Sequence, residues 1–165
     1  MGTRVWGAAA VVLAAALACD GGLEPDTSFV GISGTLTFTG AVPESTQAVF
    51  VVAYQTFPRC RSDLFGFQPP LSRLQSLPLN QPTGTFQLPL ANAPYEWVLA
   101  VWVKQGFTPF NADATLREAG YYRDPVNPGQ PGAVVVNDTV VPGIDFIVDF
   151  DNMHTVDFWF PTCAG

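Results

Sequence analysis

From residue 30 onward the apolar residues of this chain recur in short runs of period two, each cut off by a Pro or Gly signal. Such runs bury one side of an extended strand, because successive side chains point to opposite faces. In 30–38, Val30, Ile32, Leu36 and Phe38 share one face, and Gly31, Ser33, Thr35 and Thr37 share the other. In 84–90, Phe86, Leu88 and Leu90 fall together. The run 95–104 sets Tyr95, Trp97, Leu99, Val101 and Val103 on the expected core face, with Val98, Ala100 and Trp102 behind them. The run 48–54 is apolar on both faces, as a covered central strand is. Runs 133–136, 144–150 and 155–160 bring the expected strands to seven.

Turn signals separate these runs, notably Asn127-Pro128-Gly129, Pro131-Gly132 and Pro142-Gly143. Seven short strands so punctuated predict an all-β fold, a single seven-stranded Greek-key β-sandwich. The stretch 112–119 alone has helical character, and two long loops are expected, 57–83 and 105–131. Gly and Pro number 15 each and aromatic residues make up 13%, which suits a turn-rich β protein and disfavours disorder.

Upstream of the strands, a basic Arg4 precedes an apolar run, 8–18, that ends at Cys19. This arrangement reads as a signal peptide. Ala16-Leu17-Ala18-Cys19 resembles the bacterial lipobox, which implies cleavage before a cysteine carrying diacylglycerol. Plain secretory cleavage nearby is an alternative. An uncleaved anchor is another, although a helix needs about 20 apolar residues to span a bilayer. The expected organisation is a signal peptide over 1–18, a lipidated tether over 19–28 and a β-sandwich domain over 29–163. The tether, Asp20-Gly21-Gly22-Leu23-Glu24-Pro25-Asp26, is small, acidic and turn-prone. The expected location is the bacterial cell envelope, on the periplasmic or surface side.

The net charge of −7 argues against nucleic acid as a partner, because a phosphate binder needs basic clusters. The expected partners are the membrane, through the lipid, and an envelope protein or a polysaccharide. With Cys19 lipidated, Cys60 and Cys163 remain, and an oxidising compartment would allow a disulfide between them. Two unrelated reduced cysteines are the alternative.

Three segments form an ordered series: Ile32-Ser33-Gly34-Thr35-Leu36-Thr37-Phe38, then Ala93-Pro94-Tyr95-Glu96-Trp97-Val98-Leu99-Ala100-Val101, then Gly143-Ile144-Asp145-Phe146. The series resembles the carboxypeptidase regulatory-like domains over 30–150. That resemblance implies a transthyretin-like (prealbumin-like) β-sandwich and an accessory, non-catalytic role in the cell envelope. Pro94 stands directly before Tyr95, where the family has Gly plus one residue.

Candidate chemistry is sparse. Asp149 and Asp151, with Asn152 following, lie on one strand face roughly 6–7 Å apart. They are a weak Ca²⁺ candidate, lacking the Gly and distal Glu of an EF-hand loop; a solvated acidic face is the plainer reading. The same spacing could serve a glycosidase pair, but no other polar machinery accompanies it. His154 is the sole histidine, which excludes multi-histidine zinc sites, and no nucleophile turn accompanies it. Trp102 and Trp159 fall opposite the expected core positions of their strands, and Tyr121 and Tyr122 sit in the second long loop with Arg117 and Glu118. Exposed, these rings would stack on sugars; buried, they would fill a second apolar layer. The sequence thus predicts a non-catalytic envelope lipoprotein acting as a structural or protein-interaction module. Its alternative is carbohydrate binding through Trp102, Trp159, Tyr121 and Tyr122.

Overall fold

The computed structural model describes residues 29–60, 63, 71–73, 79 and 81–159. Strand β1 (Gly31–Thr39) is central to one sheet. It runs antiparallel to β4 (Thr83–Pro89), from Gly31 beside Pro89 to Thr37 beside Thr83. Its other edge pairs in parallel with two short strands in succession, β9 (Val140–Val141) and β10 (Phe146–Asp149). Between those two, the Ile144 amide donates to the Ser33 carbonyl at 3.1 Å. The Asp145 carboxylate then accepts from the Thr35 amide at 2.6 Å, a side chain standing in for a ladder carbonyl. Gly34 permits this approach, since a Cβ there would lie 2.1 Å from the Ile144 oxygen. The segments Ile32-Ser33-Gly34-Thr35 and Gly143-Ile144-Asp145-Phe146, far apart in sequence, therefore lie side by side.

The second sheet has the order β11 (His154–Thr155), β7 (Leu116–Tyr121), β6 (Trp97–Lys104), β2 (Thr46–Tyr54), β3 (Leu71–Arg73), with every pairing antiparallel. A small third sheet pairs β5 (Ala93–Tyr95) with β8 (Val134–Val136). The helical elements are single turns: a 3-10 turn at Pro109–Asn111, α1 (Ala112–Thr115) and α2 (Val156–Trp159).

Alternation explains the layering. β4 buries Gly84, Phe86 and Leu88 and exposes Thr83, Thr85 and Gln87. Ile32 and Leu36 of β1, Phe146 and Val148 of β10, Val49 and Val51 of β2, and Val98, Ala100 and Trp102 of β6 all join one core shared by the two sheets. A second cluster covers the other face of the five-stranded sheet, with Val52, Tyr54, Trp97, Leu99 and Tyr121 packed by Phe57 and Trp159. Where β7 passes β10, Gly120 is required: a Cβ would lie 1.9 Å from the Ile147 carbonyl oxygen. The β6–β7 register slips there, opposing Ala100 to Gly120 and Val101 to Glu118, so Ala119 is the extra residue of a bulge.

The all-β expectation holds, with few helices and mixed sheets, while several details change. Eleven strands stand among the described residues in place of seven. The expected loop 105–131 contains β7, and within it only 112–115 of the stretch 112–119 is helical. The expected loop 57–83 contains β3. The expected strand 155–160 becomes β11 followed by α2. In β6 the face carrying Val98, Ala100 and Trp102 turns toward the shared core, the reverse of the sequence expectation. Both faces of that strand are apolar, so alternation alone does not orient it.

Candidate functional site

Of the four rings that the carbohydrate-binding alternative requires at the surface, Trp102 is 5% exposed, and its indole Nε1 donates to Thr46 Oγ1 at 2.7 Å. The Thr46 hydroxyl in turn donates to the Pro43 carbonyl at 2.6 Å. Trp102 is thus a core residue that fastens the β1–β2 connection, and its ring offers no surface to a ligand. Tyr121 is also buried. The Arg123 guanidinium lies 4.7 Å above its ring and donates to its hydroxyl at 3.2 Å. Tyr122 is half-buried against the core, its amide bonded to the Val98 carbonyl at 2.8 Å. Trp159 remains half-exposed, on α2 rather than on a strand, and meets the Tyr121 ring edge-on at 5.4 Å. The structure brings Tyr121 and Trp159 together and sets Trp102 on the other face of the sheet.

Asp149 and Asp151 do not present a pair of free carboxylates. Asp149 Oδ1 accepts from the Asp151 amide at 3.0 Å and Oδ2 from the Asn152 side-chain amide at 2.7 Å, closing the turn between β10 and β11. The Asn152 bond holds the Asp149 carboxyl below its ordinary range. Among the described residues, no three His, Cys, Asp or Glu side chains converge in a metal-binding arrangement.

A different constellation is assembled around Glu118. This residue points out of the β7 bulge yet is only 8% exposed. Its ladder partner across β11 is His154, whose Nδ1 lies 2.7 Å from Glu118 Oε2. Trp159 Nε1 donates to the same oxygen at 3.0 Å. One buried carboxylate therefore gathers an imidazole and an indole from the β11–α2 segment. The bond to the carboxylate places a proton on Nδ1 and turns Nε2 away from Glu118. Phe158, 60% exposed, stacks on the imidazole with ring centroids 3.9 Å apart and planes 15° from parallel. Phe158 also meets Trp159 edge-on at 5.3 Å. The sequence gives His154 no partner and places Glu118 in the second long loop. The segment Leu116-Arg117-Glu118-Ala119-Gly120-Tyr121 sets the acid beside a base and offers no apolar pattern that marks Glu118 as buried.

Cys60 is not a free thiol. Its carbonyl accepts from the Asp63 amide at 3.1 Å, and the Asp63 carboxylate accepts from the Arg59 amide at 3.1 Å. Cys163 lies outside the described residues, as do Cys19, the signal peptide over 1–18 and the tether over 19–28. Among the described residues no helix is long and apolar enough to cross a membrane. No protein family, curated protein or solved structure matches the chain.

Proposed function

We propose that this chain is a non-catalytic accessory module of the bacterial cell envelope, anchored by lipid on Cys19, with a transthyretin-like sandwich that engages a protein partner. The 105–111 loop carries this reading. Phe110 is fully exposed at its tip and Phe107 is partly exposed beside it. The loop supporting them is nonetheless fixed. The Thr108 amide donates to Asn111 Oδ1 at 2.7 Å, Asn111 Nδ2 to the Gly106 carbonyl at 3.0 Å, and Thr115 Oγ1 to the Asn111 carbonyl at 2.8 Å. The Gln105 amide binds the Ser45 carbonyl at 2.8 Å, tying the loop to the β1–β2 connection. A rigid loop that displays an aromatic ring loses little entropy on binding, a property of interface anchors.

Its place in the fold favours a protein over the bilayer as partner. The chain enters β1 at Gly31 and leaves it at Thr39, about 30 Å along a nine-residue strand. The loop is tied to the connection that follows that far end, away from Gly31 where the chain enters the strand. Two or three acyl chains on Cys19 would hold the other end firmly, at about 0.8 kcal/mol per buried CH₂. The transthyretin-like relationship draws support from the pairing of the Ile32 to Thr35 and Gly143 to Phe146 segments, which carry the sequence resemblance. The non-catalytic part draws support from Glu118 and Asp149, whose carboxylates are engaged in holding β11, α2 and the turn before them. Fractionation of bacterial cells producing the full chain tests the anchor. The wild type should sediment with membranes and Cys19→Ser should not; equal sedimentation of both contradicts the lipid. Turnover of an ester, peptide or glycoside by the purified chain would contradict the non-catalytic role.

A further inference from the structure

We infer that Phe158, backed by His154 and flanked by Trp159, forms a stacking platform for a neutral pyranose polysaccharide; of the rings the sequence suggested, only Trp159 belongs to it. Isolated exposed hydrophobic residues are ordinary on protein surfaces, but Phe158 is not isolated. Its ring lies nearly parallel to the His154 imidazole at 3.9 Å. The imidazole is fixed from behind by Glu118 Oε2 at 2.7 Å, and the same oxygen fixes the Trp159 indole at 3.0 Å. A buried carboxylate thus locks two rings of one short segment, and Phe158, which packs on both, stays 60% exposed. Preorganisation of this kind is what a binding surface needs, because the rings lose little freedom when a ligand arrives.

The chemistry of the platform selects the ligand class. A flat ring with an electron-rich face suits the C–H face of a pyranose. The His154 side chain is 36% exposed and sits against that ring, so its Nε2 can hydrogen-bond a sugar hydroxyl at the rim, a group that both donates and accepts. A net charge of −7, with only seven Lys and Arg in the chain, disfavours anionic glycans and leaves neutral ones. The inference does not depend on lipidation or on the protein-binding loop.

The test is a tryptophan-fluorescence titration of the detergent-solubilised full chain with cellohexaose, chitohexaose and mannohexaose, using polygalacturonate as the anionic control. Trp159 reports directly, since its ring is 5.3 Å from that of Phe158. The expected result is a saturable change with at least one neutral oligomer and none with polygalacturonate. Phe158→Ala should weaken it about thirtyfold or more, the effect of removing an interface anchor. Phe158→Trp should retain binding, and Phe110→Ala should leave it unchanged. A flat response to all three neutral oligomers overturns the inference. So does a response that survives Phe158→Ala, or one that Phe110→Ala abolishes equally.

Discussion

Trp102→Ala separates a core residue from a ligand-stacking one. The Trp102 ring is 5% exposed, within the core shared by both sheets, and its Nε1 donates to Thr46 Oγ1 at 2.7 Å. Truncation to Ala should cost about 3–5 kcal/mol, combining lost transfer free energy with the cavity left behind. For a domain of this size that corresponds to a fall in Tm of roughly 10–20 °C. The hydrogen bond can be isolated within that total. Thr46→Val leaves a buried indole N–H unpaired and should cost about 1–3 kcal/mol, while Trp102→Phe should cost less than Trp102→Ala. A double-mutant cycle over Trp102→Phe and Thr46→Val should give a coupling of roughly 1 kcal/mol. Urea unfolding followed by far-UV circular dichroism is the assay, because tryptophan emission itself changes with these variants. A surface ring would cost within about 0.5 kcal/mol on truncation. Such a value for Trp102→Ala would refute the placement of β6 in the sheet and the assignment of its core face.

Three further outcomes are expected. Burial pushes the Tyr54 phenol up to about 12, above its ordinary value of 10.0. The folded state therefore holds this proton more tightly than the unfolded state, so the associated stability is complete below pH 10 and is lost as pH rises towards 12. The loss approaches roughly 3 kcal/mol, read from denaturation midpoints across that window, and a Tyr54→Phe variant with the same alkaline loss would contradict it. Asn152→Ala should raise the Asp149 pKa, measured by NMR titration, because the Asn152 amide is the main group holding it down; chelator should leave Tm unchanged, since both Asp149 oxygens already accept hydrogen bonds. Finally, we propose that Cys60 pairs with Cys163. Peptide mapping without reductant should recover the two as one linked fragment, and reduction should destabilise the chain by up to about 4–5 kcal/mol for a loop of this length; recovery of a free Cys163 thiol would contradict the pairing.

How far the sequence revealed this fold depended on whether a segment's two faces differ. β1 and β4 alternate apolar with polar residues and were legible almost to the residue. β6 is apolar on both sides, so its position can be read from the sequence but not its orientation, and the face expected opposite the core, which carries Trp102, is the one that faces it. β7 was hidden because Leu116-Arg117-Glu118-Ala119-Gly120-Tyr121 contains a bulge, which breaks the period of two, and because its first residues continue a helical turn. β3 and β9, of three and two residues, are too short to carry a pattern; their neighbours define them. The Glu118 constellation could not be assembled from spacing, since His154 and Trp159 lie 36 and 41 residues from Glu118 and meet it only across the ladder. Arg117 directly before it makes Glu118 read as a solvated charge, whereas in the fold the buried carboxylate meets its desolvation cost with two ring N–H partners.

In the proposed function, the anchored module meets a protein through the loop carrying Phe110. A photoreactive amino acid placed at position 110 of the full-length chain, with the exposed Val126 position as control, tests it in living cells. The account predicts a discrete protein adduct at position 110 and none at 126, with the identified partner, once purified, binding Phe110→Asp at least tenfold more weakly than wild type. Lipid adducts at position 110, equal adducts at both positions, or undiminished binding by Phe110→Asp would contradict it.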